Sequence, residues 1–145
     1  MKILAVRKDY DAIKYIKETS EEVNLEAIEN YWGAIRYISN GSLNVKRAAV
    51  AKNEEAINYI SSYDLDELKV LIGENINVVK YVYDSIDADL VVEVLIEKLK
   101  NEDIDSEYMK NFFKLEILDM DKINFIRERG SKKAKMLLVD YKLSK

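Results

Sequence analysis

The chain has 145 residues with 23 basic and 27 acidic side chains, a net charge of −4, four glycines and no proline, cysteine or histidine. At 48% hydrophobic and 34% charged residues, it belongs with globular chains rather than disordered ones, and its length suits a single domain with its own core. Without cysteine there is no disulfide, thiolate nucleophile or Cys-bound metal; without histidine the commonest general base and metal ligand are gone, so no catalytic, cofactor or metal site is expected. The shortage of turn residues favours helices over a β-sandwich or barrel.

The N-terminus, "MKILAVRKDYDAIKYI", lacks the apolar core of about 7–15 residues that marks a signal peptide. No stretch approaches the roughly 20 apolar residues of a membrane span, so a cytoplasmic protein without membrane contact is expected.

Four segments taken every 22 residues align without a gap: "LAVRKDYDAIKYI" (4–16), "EAIENYWGAIRYI" (26–38), "AAVAKNEEAINYI" (48–60) and "VLIGENINVVKYV" (70–82). Ala12, Ala34, Ala56 and Val78 share a column, as do Ile13, Ile35, Ile57 and Val79, and Tyr15, Tyr37, Tyr59 and Tyr81. The register weakens in 92–104 and recovers at Ile123, Phe125 and Ile126, with a last half-unit placing Leu137 and Leu138 in phase. Such periodicity predicts a tandem array filling the chain. Apolar positions at i, i+1 and i+4 predict two short helices per unit. Ser20, Ser42 and Asp64 stand where a side-chain oxygen caps a following helix, although Thr19 to Glu22 also fits a capping box. Asp9, Asn53, Asn75 and Asp119 suit a second cap, and Gly41 and Gly130 stand where helices are expected to end. Helices of about 8–10 residues are unstable alone and must stack on neighbours. The fifth unit differs, because 87–101 has no break and predicts one longer helix. The expected fold is therefore all-α: a right-handed-type α-solenoid of 22-residue two-helix repeats, about six units with a degenerate fifth. A single domain spans 1–145, with regular units over 1–86 and degenerate units plus a cap over 87–145.

In these residues the chain resembles an uncharacterised family of tandem short helical repeats, a domain of unknown function with units of the form A-V-K-x-N-x-x-A-L-x-Y-A. "AAVAKNEEAINYIS" matches that pattern at Ala49, Val50, Lys52, Asn53, Ala56, Ile57 and Tyr59, and the likeness is good over about 4–82. Asp9 and Tyr31 stand where the pattern has Asn. The resemblance implies an all-α repeat array and no particular activity.

Function is sought where the copies disagree. The tyrosine column reads either as an aromatic ladder that grips a ligand or, the blander account, as rings packed between units with hydroxyls at the surface. Trp32 replaces Tyr10 and Glu54 of the neighbouring units; with Tyr31 and Tyr10 it forms an aromatic group suited to anchoring a partner. Nine acids lie in 84–107 (Asp84, Asp87, Asp89, Glu93, Glu97, Glu102, Asp103, Asp105 and Glu107), against Lys98 and Lys100. They read as a solvated helical face or as a surface that attracts a basic partner. Arg127, Arg129, Lys132, Lys133 and Lys135 make a basic segment, but the net charge of −4 argues against nucleic acid as main partner. "DIDSE" (103–107) alternates oxygen ligands yet lacks the glycine and closing glutamate of a calcium loop, with Lys114 at the closing position. No phosphate loop, nucleophile elbow or dinucleotide fingerprint occurs. The leading expectation is a non-enzymatic module that binds another protein through one face of the array. The alternatives are a small phage- or mobile-element-encoded inhibitor, anti-CRISPR-like, that fills a basic groove of a host defence enzyme, and a nucleic-acid binder or enzyme using Lys, Arg and Tyr.

Overall fold

Three serine and aspartate side chains open the first helices among the described residues. In a computed structural model that describes residues 20–39 and 41–143, Ser20 accepts from the Val23 N–H and starts α1 (Glu21–Asn30). Ser42 accepts from Val45 and starts α2 (Leu43–Lys52); Asp64 and Glu67 form a capping box at α3 (Leu65–Glu74). These starts fall 22 residues apart, as the cap column predicts. Thr19 and Asp9, like all of 1–19, lie outside the described residues.

Each of these helices is 10 residues long and leaves through an extended residue, Tyr31, Asn53 or Asn75, whose N–H returns to Ala27, Ala49 or Leu71. A tighter coil follows, and here the expectation of a second α-helix needs correction. Trp32–Tyr37 and Glu54–Tyr59 are six-residue 3-10 turns, and Ile76–Val78 is a three-residue one that runs into α4 (Val79–Val82). Six residues give few i→i+4 bonds, so the tighter i→i+3 pattern competes well in such short pieces. Asn53 and Asn75 do cap these turns, accepting from Glu55 at 2.9 Å and Asn77 at 3.0 Å.

The remaining elements are a 3-10 turn at Tyr83–Ser85, then α5 (Ala88–Lys100), α6 (Ser106–Lys114), α7 (Lys122–Arg129) and α8 (Lys132–Leu143). The unbroken 13-residue α5 is the long helix expected over 87–101. Asp119 is not a cap; Asp121 starts α7 by accepting from Asn124 at 3.0 Å. Gly130 does end α7, but with φ −79° rather than in a left-handed conformation. Its glycine is needed for closeness, since a β-carbon there would sit 2.6 Å from the Ile126 carbonyl oxygen. Gly41 ends no helix and instead precedes the Ser42 cap. Among the described residues there is no strand, and no helix is long and apolar enough to cross a membrane.

The chain divides into two compact units, Met1–Tyr81 and Val82–Lys145. In the first, α1 packs on α2 and α2 on α3, and the successive 3-10 turns pack on one another. The buried set is Val23, Ala27 and Ile28 on α1, Val45, Ala49 and Val50 on α2, and Leu68, Leu71 and Ile72 on α3. Burying such side chains contributes about 1.5–3 kcal/mol each for the larger ones, which supplies what short helices lack alone. Polar bonds bridge the same joints: Ser42 donates to Glu21, Ser61 to the Ser39 carbonyl at 2.7 Å, and the Asn75 amide to the Val50 carbonyl at 2.8 Å.

One core column is irregular. Asn24, Lys46 and Leu68 occupy equivalent buried places. Lys46 meets Glu67 at 3.0 Å. The place equivalent to Glu67 one unit earlier is Val45, so Asn24 has no such group opposite it, and its Oδ1 is buried without a hydrogen bond. Asn24→Leu should therefore raise stability by about 1–2 kcal/mol, because an unmet polar group costs that much. The check is urea unfolding of both forms; a lower midpoint for the leucine form would show that the amide is satisfied.

In the second unit α8 packs on α6 and α7, and α7 on α5. Phe112, Met109, Leu95, Leu99 and Ile126 fill the core. Burial pushes the Tyr108 phenol upward, with Lys98 Nζ lying 4.7 Å over its ring. Lys122 donates to the carbonyls of Leu115 at 2.6 Å and Phe113 at 3.3 Å, closing the end of α6. Burial lowers its ammonium pKa, and Glu116 partly offsets that.

Candidate functional site

The extended backbone at Tyr31 turns the chain out of α1 and sets Tyr31 and Trp32 side by side, ring centroids 5.5 Å apart. Gly33 makes room for this: a β-carbon there would run into the Tyr31 ring. Trp32 also lies 6.2 Å from Tyr59, one unit later. Arg36 folds back so that its Nε donates to the Gly33 carbonyl at 3.1 Å, and its guanidinium stands 4.5 Å over the Tyr59 ring. Tyr59 thus meets both a tryptophan and an arginine of the preceding segment. Tyr31 and Trp32 are half-buried, while Arg36 is exposed.

The tyrosine column continues this surface. Tyr37, Tyr59 and Tyr81 are 38%, 40% and 41% exposed, so each ring is partly packed and partly open. The Tyr81 phenol is pushed up, first by desolvation and then by Glu55 and Glu54; Lys80 lies 3.9 Å from Glu54. This face offers apolar area, one guanidinium and phenolic donors, which suits recognition of a protein surface.

Of the expected aromatic group, Tyr31 and Trp32 come together, and Tyr10 lies outside the described residues. Arg36 and Tyr59 were not among the expected site residues. Arg36 holds the place of Asn58 and Lys80 just before the tyrosine column, and that proximity is the signal in the sequence that could have found it.

All nine acids of 84–107 lie in the second unit and are exposed. Several are engaged locally: Glu97 with Lys100 at 2.8 Å, Glu107 with Lys110 at 3.7 Å, and Glu102 with the Lys132 N–H at 3.3 Å. Asp87 and Asp105 precede α5 and α6 without capping them through their side chains. Within 103–107, Ile104 is buried and Asp103 N–H donates to Asn101 at 2.8 Å, so the segment is a turn. Among the described residues no three acidic side chains are placed to hold a metal ion. Arg127, Arg129, Lys132, Lys133 and Lys135 are exposed as well. Two cavities of about 340 and 370 Å³ flank the stacked rings of Phe113 and Tyr141, whose centroids are 4.4 Å apart.

Compared with protein-family models, with curated proteins and with solved structures, the chain finds no match.

Proposed function

We propose that the chain is a non-enzymatic cytoplasmic interaction module, an α-solenoid of 22-residue units that binds a partner protein through its aromatic face. The observation that carries this reading is the contact of Trp32 with Tyr59 beneath Arg36. Trp, Tyr and Arg are the residues that dominate binding energy at protein interfaces, and nothing in the repeat demands a tryptophan at this place. The recurrence of caps and extended exits every 22 residues supports reading the units as stacked bricks, and with it the proposed kinship to the short helical-repeat family. The nine exposed acids give a field that would draw in a basic partner and speed encounter. That charge also supports a narrower form, in which a phage- or mobile-element-encoded inhibitor fills the basic groove of a nucleic-acid-processing defence enzyme.

The test is affinity capture from nuclease-treated host extract, then titration of the purified partner against the wild-type chain and Trp32→Ala. Loss of Trp32 should weaken binding by about 30-fold or more, equivalent to about 2 kcal/mol, with little change in Tm. An equal loss of stability would make Trp32 a core residue and sink the reading. So would direct, steeply salt-dependent binding to RNA or DNA as the main activity.

A further inference from the structure

Helix α8 is apolar on two sides. Ala134 and Leu138 are buried. On the opposite side Met136, Val139 and Leu143 are 65%, 53% and 80% exposed. Their spacing of three and four residues puts them in one line, and Lys132 begins the same line one turn earlier. Lys135 and Lys142 border it on one edge, and Asp140 and Lys133 on the other; all are exposed. An apolar stripe edged with lysines calls for an apolar stripe edged with acids.

Helix α5 supplies an acidic line with apolar side chains along one side of it. Asp89, Glu93 and Glu97 recur every fourth residue and are exposed, with Val92 and Ile96 half-buried beside them and Lys100 paired to Glu97 at the end of the line. At the rise of an α-helix, Asp89 to Glu97 spans about 12 Å and Met136 to Leu143 about 11 Å. Within one chain the start of α8 is tied to the end of α5: Ser131 N–H donates to Leu99 at 2.7 Å and Ser131 Oγ to Asn101 at 3.2 Å. Both stripes stay open to solvent in that arrangement.

We infer that the outer face of α8 docks on the α5 acidic face of a second copy of this chain. The contact is heterologous, so each copy keeps one free surface of each kind and association continues beyond a pair unless a ring closes. An anionic membrane is the poorer occupant, because the net charge of −4 and the nine acids of the same unit repel it. The surface differs from the aromatic face proposed above, and its failure would leave that reading standing.

The experiment is sedimentation of the full chain at rising concentration, in low and high salt. The mass should climb above that of a monomer and fall back as salt is added. Two charge reversals, Lys132→Glu with Lys135→Glu and Lys142→Glu, and Asp89→Lys with Glu93→Lys and Glu97→Lys, should each weaken association about tenfold or more. Mixing the two variants should restore assembly, because both faces of each then meet an oppositely charged face on the other; circular dichroism confirms that both fold. A monomer at millimolar concentration, association untouched by the reversals, or a monomer that binds anionic vesicles would each overturn the inference.

Discussion

Replacing Phe112 by alanine should destabilise the second unit by about 3–5 kcal/mol. Phe112 has no exposed surface, and it is the largest fully buried side chain among the described residues. It sits on α6, where Phe113 beside it stacks on Tyr141 of α8 and Lys122 Nζ lies 5.6 Å over the Phe112 ring. Removing the ring leaves a void that neighbouring helices only partly fill, so the cost exceeds the transfer free energy of the lost carbons. Amide hydrogen exchange locates the effect: protection over 82–143 should fall far more than protection over 20–81. The half-buried Phe113 is the control, and Phe113→Ala should cost clearly less. A loss below about 1 kcal/mol for Phe112→Ala would show that this unit is organised around something else.

Glu67→Ala should cost about 2–4 kcal/mol, more than Lys46→Leu. The asymmetry follows from exposure, because the Lys46 side chain is 9% exposed and that of Glu67 27%. Without Glu67 an ammonium stays buried with no counter-charge, and α3 also loses half its capping box. Without Lys46 the carboxylate keeps contact with water, and leucine is what the next unit holds at the equivalent place, Leu68. Urea midpoints of the two variants and of the double variant measure the coupling. If Lys46→Leu proves the costlier change, the lysine stem matters more than the charge pair.

Much of this architecture is legible in the sequence because it is written in short-range chemistry. Ser20, Ser42 and Asp64 cap helices because a side-chain oxygen needs only its own backbone to do so. The unbroken run of 88–100 reads as one helix for the same reason. The second half of each unit was not legible as a 3-10 turn. Ala34, Ile35 and Ile38 satisfy a helical spacing, and over six residues the two coils bury the same positions. At the site, Tyr31 and Trp32 are neighbours in the chain, so their pairing was visible. The placing of Tyr59 under Arg36 depends on how one unit docks on the next, which no local pattern states. The unbonded Oδ1 of Asn24 is likewise a matter of what faces it, Val45 in place of a carboxylate.

The exits from α1, α2 and α3 have a consequence for how the sequence can vary there. Tyr31, Asn53 and Asn75 leave with φ of −163°, −159° and −150°, and no described residue has a positive φ. A joint that needed left-handed backbone would be reserved largely for glycine and asparagine. This joint has no such requirement, so its backbone suits any residue but proline, which lacks both that φ and the N–H donated to the helix. The side chain there is still set by its surroundings: Asn53 and Asn75 cap the turns that follow and Asn75 also bonds the Val50 carbonyl, whereas Tyr31 needs the bare backbone of Gly33 against its ring. Each exit residue is therefore coupled to the one two places further on, Tyr31 to Gly33, Asn53 to Glu55 and Asn75 to Asn77, so the two positions change together.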